Sequence, residues 1–377
     1  MHGKKQKPDE AGHKVLGLEI IRFICAVSIL VWHYNHFSFI GKEQVNFYQT
    51  SQPFYWLLIP MYRYGNFGVQ IFWCVSGYIF FWKYGGDISS RLMSGKRFFI
   101  LRFSRLYPLH FVTLLAAGAL QYIYISTHAS YFVFQANHLS DFLAQIFMAS
   151  DWGIPREPGF NAPIWSISVE VLAYFIFYTT LRIFRGRLIS SAIVLSVSIA
   201  ALTLGATLPL FQCLIFFYAG GLIALACEYG QKYRGKLTVA SILIMLVPIL
   251  YHLSKNLLHF TMPPMLFLLA FVPPLLYLMA EYFHAPSYSH KLIEAAGNIT
   301  YSSYLLHFPI QICIACIYSE LAIPIPYYSK WFFLCYIGGI LALSRWVFEA
   351  FEKPAQSTIR NWLLKANPPV ASPAVQG

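Results

Sequence analysis

The 377-residue sequence has few charged residues: Asp, Glu, Lys and Arg make up 11% of it, against 58% hydrophobic residues. Soluble domains carry about 25% charged residues, so this chain lacks the polar side chains needed to cover a water-soluble surface. Acidic residues are scarcer (15) than Lys and Arg (27). The basic residues lie between apolar runs and form no patch that would bind nucleic acid. The composition therefore predicts an integral membrane protein with no nucleic-acid partner.

The sequence also lacks motifs that hold cofactors. It contains no glycine-rich nucleotide-binding loop and no cluster of metal-ligand spacing, so we expect no bound cofactor and no metal. All seven cysteines lie in apolar runs. Cys313 and Cys316 form a C-x-x-C, but within a hydrophobic helix we interpret the pair as packing residues.

Apolar segments near the length of a bilayer crossing, about 20 residues, recur along the chain. They predict an all-α fold, a polytopic transmembrane helix bundle of about ten spans. A further stretch, Ser140–Ala149, is too short to cross and is predicted to be interfacial or re-entrant. The predicted spans are Val15–Tyr34, Phe67–Trp82, Leu106–Ser126, Pro163–Leu181, Leu188–Gly205, Leu208–Cys227, Leu237–His252, Met262–Ala280, Gly297–Tyr318 and Trp331–Phe348.

The distribution of basic residues predicts the orientation, because cytoplasmic loops are enriched in Lys and Arg. With the N-terminus inside, 20 of the 27 basic residues fall in cytoplasmic segments and 5 in outer ones; Arg22 and Arg345 lie within spans. Both termini are therefore predicted to be cytoplasmic. The predicted organisation is a cytoplasmic segment 1–14, a transmembrane domain 15–352 and a cytoplasmic tail 353–377.

Ionisable residues inside spans are candidate functional residues, because a charge in hydrocarbon is costly. Arg22 and His33 lie eleven residues apart in the first predicted helix. At about 100° per residue, eleven steps return to the same face roughly 16 Å further along. The alternative is that Arg22 snorkels to the cytoplasm and His33 sits in the outer interface. Glu19, one turn before Arg22, is a candidate partner for its charge.

Four further ionisable residues lie at or inside the predicted spans. Arg102 and Arg105 are i, i+3 neighbours at the cytoplasmic end of the third span, which suits capture of phosphate groups but is also typical of a positive-inside cluster. Glu170 has no basic residue within one turn, so its partner must come from another helix. His307 lies mid-span on the same face as Tyr304.

Small residues interrupt the otherwise bulky second span. Gly68, Ser76 and Gly77 fall in the run GVQIFWCVSG. Close helix packing explains them adequately; backbone room for a ligand is the alternative.

Taken in their order along the chain, these features resemble the motifs of the membrane-bound acyltransferase-3 family, whose bacterial members O-acylate cell-envelope and exported glycans. Many members carry an acidic residue where this chain has Gln70. The motifs are Arg22 and His33 with ten residues between them, Gly68-Val-Gln-Ile-Phe-Trp-Cys-Val-Ser-Gly77, Arg102-Phe-Ser-Arg105 with Tyr107-Pro108, Trp165-Ser-Ile-Ser-Val-Glu170, Tyr301-Ser-Ser-Tyr-Leu-Leu-His307-Phe-Pro309 and Glu352-Lys-Pro354.

The resemblance implies a ten-helix transferase of the bacterial inner (plasma) membrane. It would take an acyl group from cytoplasmic acyl-CoA, usually acetyl-CoA, and deliver it to a sugar hydroxyl, commonly at the outer face. The implied partners are acyl-CoA, membrane lipid, a glycan or lipid-linked sugar acceptor, such as lipopolysaccharide or exopolysaccharide, and polysaccharide-assembly proteins. The acceptor and the acyl group stay open.

Roles for the candidate residues follow from this implied reaction. His33 is the expected base for the acceptor hydroxyl, and Glu170 is expected to orient it or to stabilise its imidazolium. Arg22 is expected to polarise the thioester or to hold the pantetheine arm. Arg102 and Arg105 are expected to bind the CoA phosphates. The residues expected to line the substrate tunnel or to bind the oxyanion are His307, Tyr301, Ser302, Ser303, Trp165 and Ser166.

Two other functions share the polytopic core. A transporter or flippase of an envelope lipid or sugar would also carry intramembrane charges, but it has no need of paired arginines for CoA, and no internal repeat of the kind found in many transporters is evident. A polysaccharide polymerase or ligase usually needs a large outer catalytic loop, whereas the longest outer loop here, Thr127–Ala162, is modest.

Overall fold

The computed structural model describes residues 15–153, 157–254 and 262–365, and helices dominate these ranges. The predicted cytoplasmic segment 1–14 and the last residues of the tail, 366–377, lie outside the described residues. Within the described residues, the strands are one short antiparallel hairpin of Phe39–Ile40 (β1) and Glu43–Gln44 (β2), in which Phe39 pairs with Gln44. The all-α prediction therefore holds for the described chain.

Most helices follow one another with short connections. The π-type turns Phe81–Gly85 and Phe348–Glu352 continue two of the helices. A 3-10 turn, His33–Ser38, continues the first helix. The helices are α1 Leu16–Trp32, α2 Tyr55–Tyr64, α3 Gly68–Phe80, α4 Gly86–Ser89, α5 Gly95–Thr127, α6 Leu139–Ile146, α7 Ile164–Phe184, α8 Arg187–Thr203, α9 Pro209–Tyr229, α10 Arg234–Ser254, α11 Pro264–Tyr282, α12 Ser287–Asn298, α13 Thr300–Glu320, α14 Lys330–Val347 and α15 Lys353–Lys365. The longer connections lie between α1 and α2, α5 and α6, and α6 and α7.

Seven helical stretches of the described chain are long and apolar enough to cross a membrane, by length and composition. Two of these stretches, Pro209–Ser254 and Lys330–Leu364, each contain two of the helices above. Each of the ten predicted spans overlaps a helix, but α3 and α8 have only 13 and 17 residues. The helices support an integral membrane protein; the count of ten crossings and the position of the termini stay predictions.

Helix α5 is much longer than the span predicted within it. The side chain of Ser94 accepts a hydrogen bond from Arg97 N and so caps its start, and Pro108 lies inside it. Its 33 residues correspond to about 50 Å at about 1.5 Å per residue, against roughly 30 Å of bilayer hydrocarbon. The excess length allows the turns that carry Arg102 and Arg105 to extend beyond the apolar layer.

Helix α3 is held between α1 and α9 by contacts that only glycine permits. A Cβ on Gly77 would lie 1.7 Å from the carbonyl oxygen of Phe217 in α9, and a Cβ on Gly220 would lie 1.8 Å from that of Cys74 in α3. Gly68 faces the opposite neighbour, because its Cβ would lie 2.9 Å from the side chain of Ile29 in α1. Close packing therefore explains these α3 glycines, as the sequence indicated.

Candidate active site

A cavity of about 1110 Å³ opens between α1, α3, α5, α7 and α13, and α15 contributes to its wall. This volume suits a ligand of cofactor size. Three acidic residues line it, Glu19, Asp87 and Glu170. Twice as many basic residues line it: Arg22, Lys83, Arg102, Arg105, Lys353 and Arg360. The cavity is therefore a cationic pocket suited to an anionic ligand.

Arg102 is fixed in this cavity by aromatic side chains. Its guanidinium carbon lies 4.9 Å from the ring centres of both Phe80 and Tyr84, and its Nη2 donates a 2.5 Å hydrogen bond to Tyr84 Oη. Its Nε is buried and has no hydrogen-bond partner in the described chain. Arg105 lines the same cavity and interacts electrostatically with Glu352. The predicted arginine pair thus faces one cavity.

Glu170 receives its partners from other helices as well as from its own. It accepts a 2.7 Å hydrogen bond from Tyr174 Oη one turn along α7 and another from Ser76 of α3. Arg22 and Arg102 provide the nearby positive charges. The sequence expectation that a basic group from another helix approaches Glu170 is confirmed by this arrangement.

Arg22 lies in the N-terminal half of α1 and is held by two partners. Its Nη1 donates to Glu19 Oε2 and its Nη2 to Thr300 Oγ1 of α13, each at 2.9 Å. The suspected Glu19–Arg22 pair is therefore present, yet Arg22 still lines the cavity. Its guanidinium is pre-positioned at the wall by a carboxylate on its own helix and a hydroxyl on α13.

A second polar cluster lies where α1 ends. The His33 ring centre is 4.9 Å from that of His36 and 4.8 Å from that of His307 on α13. Because Arg22 and His33 both contact α13, they share a face as the spacing predicted. Within the described ranges, no group of three or more His, Cys, Asp and Glu side chains is arranged to hold a metal ion.

The structure does not pair His33 with Glu170 directly. Glu170 lines the cationic cavity, whereas the His33 ring contacts the other two histidines and Ile29 O. The expected role of Glu170 toward His33 therefore has no direct contact to support it, for a geometric reason. His33 lies about three turns beyond Arg22 on α1, and it is Arg22 that Glu170 faces.

The predicted tunnel residues lie in different environments. Ser166 and Tyr301 line the large cavity, Trp165 lines a neighbouring cleft of about 160 Å³, and His307 lies against His33. Ser302 and Ser303 line neither of these cavities.

The hydroxyl groups of residues 301–303 do not offer an oxyanion site in this arrangement. Tyr301 donates to Leu106 O at 2.5 Å, Ser302 to Glu352 Oε2 at 2.6 Å, and Ser303 to the carbonyl of residue 300 at 3.2 Å. A hydroxyl has one proton to donate. Each of these protons is already used within the protein, which corrects the predicted oxyanion role.

Tyr304 lies between the cavity and the histidines. Its hydroxyl group donates to Pro163 O at 2.8 Å and is 2.8 Å from Ser166 Oγ. The side chain lines the cavity, and its ring centre is 5.9 Å from that of His307. One side chain of α13 therefore borders both groups of candidate residues.

Several polar residues of these sites were missed from the sequence, and four of them left a signal in their spacing. His36 follows His33 by three positions and Gln311 follows His307 by four, so helical spacing was the available signal. Lys353 and Arg360 were assigned to a tail, but α15 places both at the cavity. Their seven-residue spacing puts them on one helix face, which was the signal there.

The apolar helices and the cationic cavity together define an integral membrane protein with a large internal site for an anionic ligand. Comparison with known proteins identifies the class. A family model described as an acyltransferase domain, acyltransferase-3, matches residues 15–348. The chain therefore belongs to the acyltransferase-3 family.

One curated relative matches part of the chain. Acyltransferase MdmB from Streptomyces mycarofaciens is 26% identical over 168 residues, which is 44% of this chain and 38% of that protein. The aligned part thus covers well under half of that relative. No solved structure matches the chain. Lys353 and Arg360 lie beyond the residues that the family model covers.

Proposed function

We propose that this protein moves an acetyl group from cytoplasmic acetyl-CoA to a sugar hydroxyl of an envelope, lipid-linked or exported polysaccharide. The observation that carries this proposal is the cavity of about 1110 Å³ lined by six basic side chains in a member of an acyltransferase family. CoA is a polyanion with several phosphate groups, and guanidinium groups bind phosphate through paired, charge-assisted hydrogen bonds. The donor is thus the ligand that best matches the cavity's size and charge.

The donor's phosphates are assigned to the part of the cavity that α5 and α15 border. Arg102 and Arg105 lie on α5, and Arg360 on α15 donates through Nε to Ser104 Oγ of α5 at 3.1 Å. Because Arg102 already contacts the rings of Phe80 and Tyr84 and donates to Tyr84 Oη, little of its rotamer freedom is lost on binding. These guanidiniums are the proposed phosphate clamp, in the segments predicted to face the cytoplasm.

Arg22 and Glu170 form the proposed inner wall for the thioester. Arg22 is held by Glu19 and Thr300, so its charge can polarise a carbonyl oxygen without reorganising. Glu170, hydrogen-bonded to Tyr174, balances the guanidiniums when the donor is absent. It is proposed to organise these cations and not to orient His33 by contact.

The chemical step is a transfer of acyl from sulfur to oxygen. His33 accepts the proton of the acceptor hydroxyl as that oxygen attacks the thioester carbonyl carbon. The carbon–oxygen bond forms, the carbon–sulfur bond breaks, and the proton leaves with the CoA thiol. The ester stays on the sugar.

The deciding experiment uses the full chain in liposomes with acetyl-CoA labelled in the acetyl group and a panel of lipid-linked and polysaccharide acceptors. We expect label in the acceptor and equimolar free thiol. The Arg102→Ala/Arg105→Ala protein should transfer far less at the same acetyl-CoA concentration, whereas Arg97→Ala removes an exposed charge of the same helix and should transfer normally.

Three outcomes separate the alternatives. Label found in acceptor and lost with the α5 double variant supports the proposal. Transfer from longer acyl-CoA but not from acetyl-CoA would correct the acyl group. No transfer from any acyl-CoA across the panel, with movement of an unmodified lipid or sugar across the bilayer, would replace the proposal with a transporter.

A further inference from the structure

His36 is a buried polar side chain with no part in the reaction proposed above. Its exposed fraction is 6%, and it lines neither the large cavity nor the cleft beside it. Its Nδ1 lies 3.0 Å from Gln311 Oε1 on α13, and Gln311 is fully buried. Burying two polar side chains costs free energy unless they are hydrogen-bonded.

The amide of Gln311 has only one orientation that fits its neighbours. It lies within 2.8 Å of the carbonyl oxygen of His33, and a carbonyl oxygen can only accept. The amide nitrogen must therefore face His33, which turns the amide oxygen toward His36. An amide oxygen also only accepts, so His36 Nδ1 must carry the proton.

The same reasoning fixes the protonated nitrogen of the other two rings. His33 Nδ1 lies 3.1 Å from Ile29 O, and His307 Nδ1 lies 2.7 Å from Tyr304 O. Each carbonyl requires a donor, so in the neutral rings both Nδ1 atoms are protonated. In both rings the unshared electron pair is then on Nε2. For His33 this nitrogen is the one able to take a proton from an acceptor hydroxyl.

The backbone of His33 is the point where the chain leaves the α-helical geometry of α1 and enters the 3-10 turn His33–Ser38. The carbonyl oxygen of His33 accepts a hydrogen bond from the Gln311 amide nitrogen, and the amide oxygen of Gln311 accepts one from His36, which lies in the same turn as His33. Gln311 on α13 therefore links the first residue of the turn to His36. A base must be placed to within a fraction of an ångström for proton transfer.

We propose that His36 and Gln311 are positioning residues, which lock the backbone and ring of His33 so that its unprotonated Nε2 faces the acceptor hydroxyl. This inference rests on the proposed function, because it presumes that His33 is the base. It adds two residues that act through His33 and touch neither donor nor acceptor.

The test compares two substitutions of His36 in the full chain in liposomes, with steady-state kinetics in acetyl-CoA. His36→Phe keeps a ring but cannot donate, and we expect kcat to fall about 10- to 100-fold with an unchanged KM for acetyl-CoA. His36→Asn places an amide N–H near the Nδ1 position and should restore most of kcat. Gln311→Met, similar in shape but without the amide, should behave like His36→Phe.

His284→Asn is the matched control. His284 is an exposed histidine whose Nδ1 is also near a backbone carbonyl, Tyr282 O at 2.9 Å, so this variant should keep its kcat. Thermal unfolding of every detergent-solubilised variant checks that the fold is retained. A purely structural role for His36 would lower the unfolding midpoint of His36→Phe and the yield of active protein without the selective loss of kcat.

The possible results are distinct. Normal kcat in His36→Phe, or an equal loss in His36→Asn and His36→Phe, overturns the inference. The expected pattern together with an inactive His33→Ala protein supports it. A His33→Ala protein with normal kcat refutes the catalytic role of His33 and therefore the inference as well, whereas an inactive His33→Ala protein beside an unimpaired His36→Phe refutes the inference alone.

Discussion

Replacing Arg102 by alanine tests the donor site most directly. Its guanidinium contacts the rings of Phe80 and Tyr84 and donates to Tyr84 Oη, which leaves other N–H groups for a ligand. The cavity around it is lined by five other basic residues. If a CoA phosphate binds here, the substitution removes a charge-assisted hydrogen bond and a pre-positioned charge.

The expected size follows from that contact. A hydrogen bond to a charged group contributes about 1.5–3 kcal/mol, and about 1.4 kcal/mol corresponds to a tenfold change in affinity. The Kd for acetyl-CoA should therefore rise about 10- to 100-fold in Arg102→Ala. Arg102→Lys keeps the charge but loses the planar fork and its contacts with the two rings, so its Kd should lie between those of Arg102→Ala and the unaltered protein.

Binding of a non-hydrolysable acetyl-CoA analogue to protein in nanodiscs, measured by calorimetry, gives the Kd without turnover. Arg97→Ala is the control, because Arg97 lies on the same helix but is exposed and does not line the cavity. Salt screens an exposed charge more than one inside a cavity, so the measurement is repeated at two ionic strengths. Equal effects of Arg97→Ala and Arg102→Ala would refute the phosphate assignment, since then only net charge would matter.

Three further predictions concern packing and charge. Gly77→Ala places a methyl carbon 1.7 Å from a carbonyl oxygen of α9, so the unfolding midpoint should fall by an amount equivalent to about 1–3 kcal/mol or more; Gly338→Ala, with no atom within 4 Å of the new carbon, should unfold as before. Arg360→Ala should raise KM for acetyl-CoA less than Arg102→Ala does, because Arg360 already donates to α5; an unchanged KM would exclude α15 from the donor site. Ser302→Ala leaves the buried Glu352 carboxylate without its 2.6 Å donor, which should cost about 1–3 kcal/mol in thermal unfolding; an unchanged midpoint would contradict that role.

Hydropathy and periodicity were sufficient to locate the long apolar helices, because a helix in hydrocarbon satisfies all its backbone groups internally and needs only apolar side chains. The start of α5 and the helices α2, α4, α12 and α15 could not be predicted this way. Helix α5 begins at Gly95, well before the predicted start at Leu106, because its first turns are polar. Helix α15 is amphipathic, so its position along α5 depends on contacts such as Arg360 with Ser104, which no hydropathy window detects.

For the candidate site, the sequence predicted which residues are unusual but not which of them meet. Spacing on one helix placed Arg22 and His33 on a common face, and both do contact α13. Pairing between helices depends on their relative depth and rotation, which spacing does not contain. For this reason the sequence predicted that Glu170 acts on His33, whereas in the structure it interacts with Arg22. The hydrogen bond between His36 and Gln311 could not be predicted for the same reason.

The donor cavity and the proposed base are connected through one turn of α13. Tyr304 lines the cavity, and its ring centre is 5.9 Å from that of His307, whose own ring centre is 4.8 Å from that of His33. Three residues of helix advance the chain by only about 4.5 Å. Tyr304 is tethered by its hydroxyl to Pro163 O and Ser166, so a movement of this side chain that joined the cavity to His33 would have to break those two hydrogen bonds.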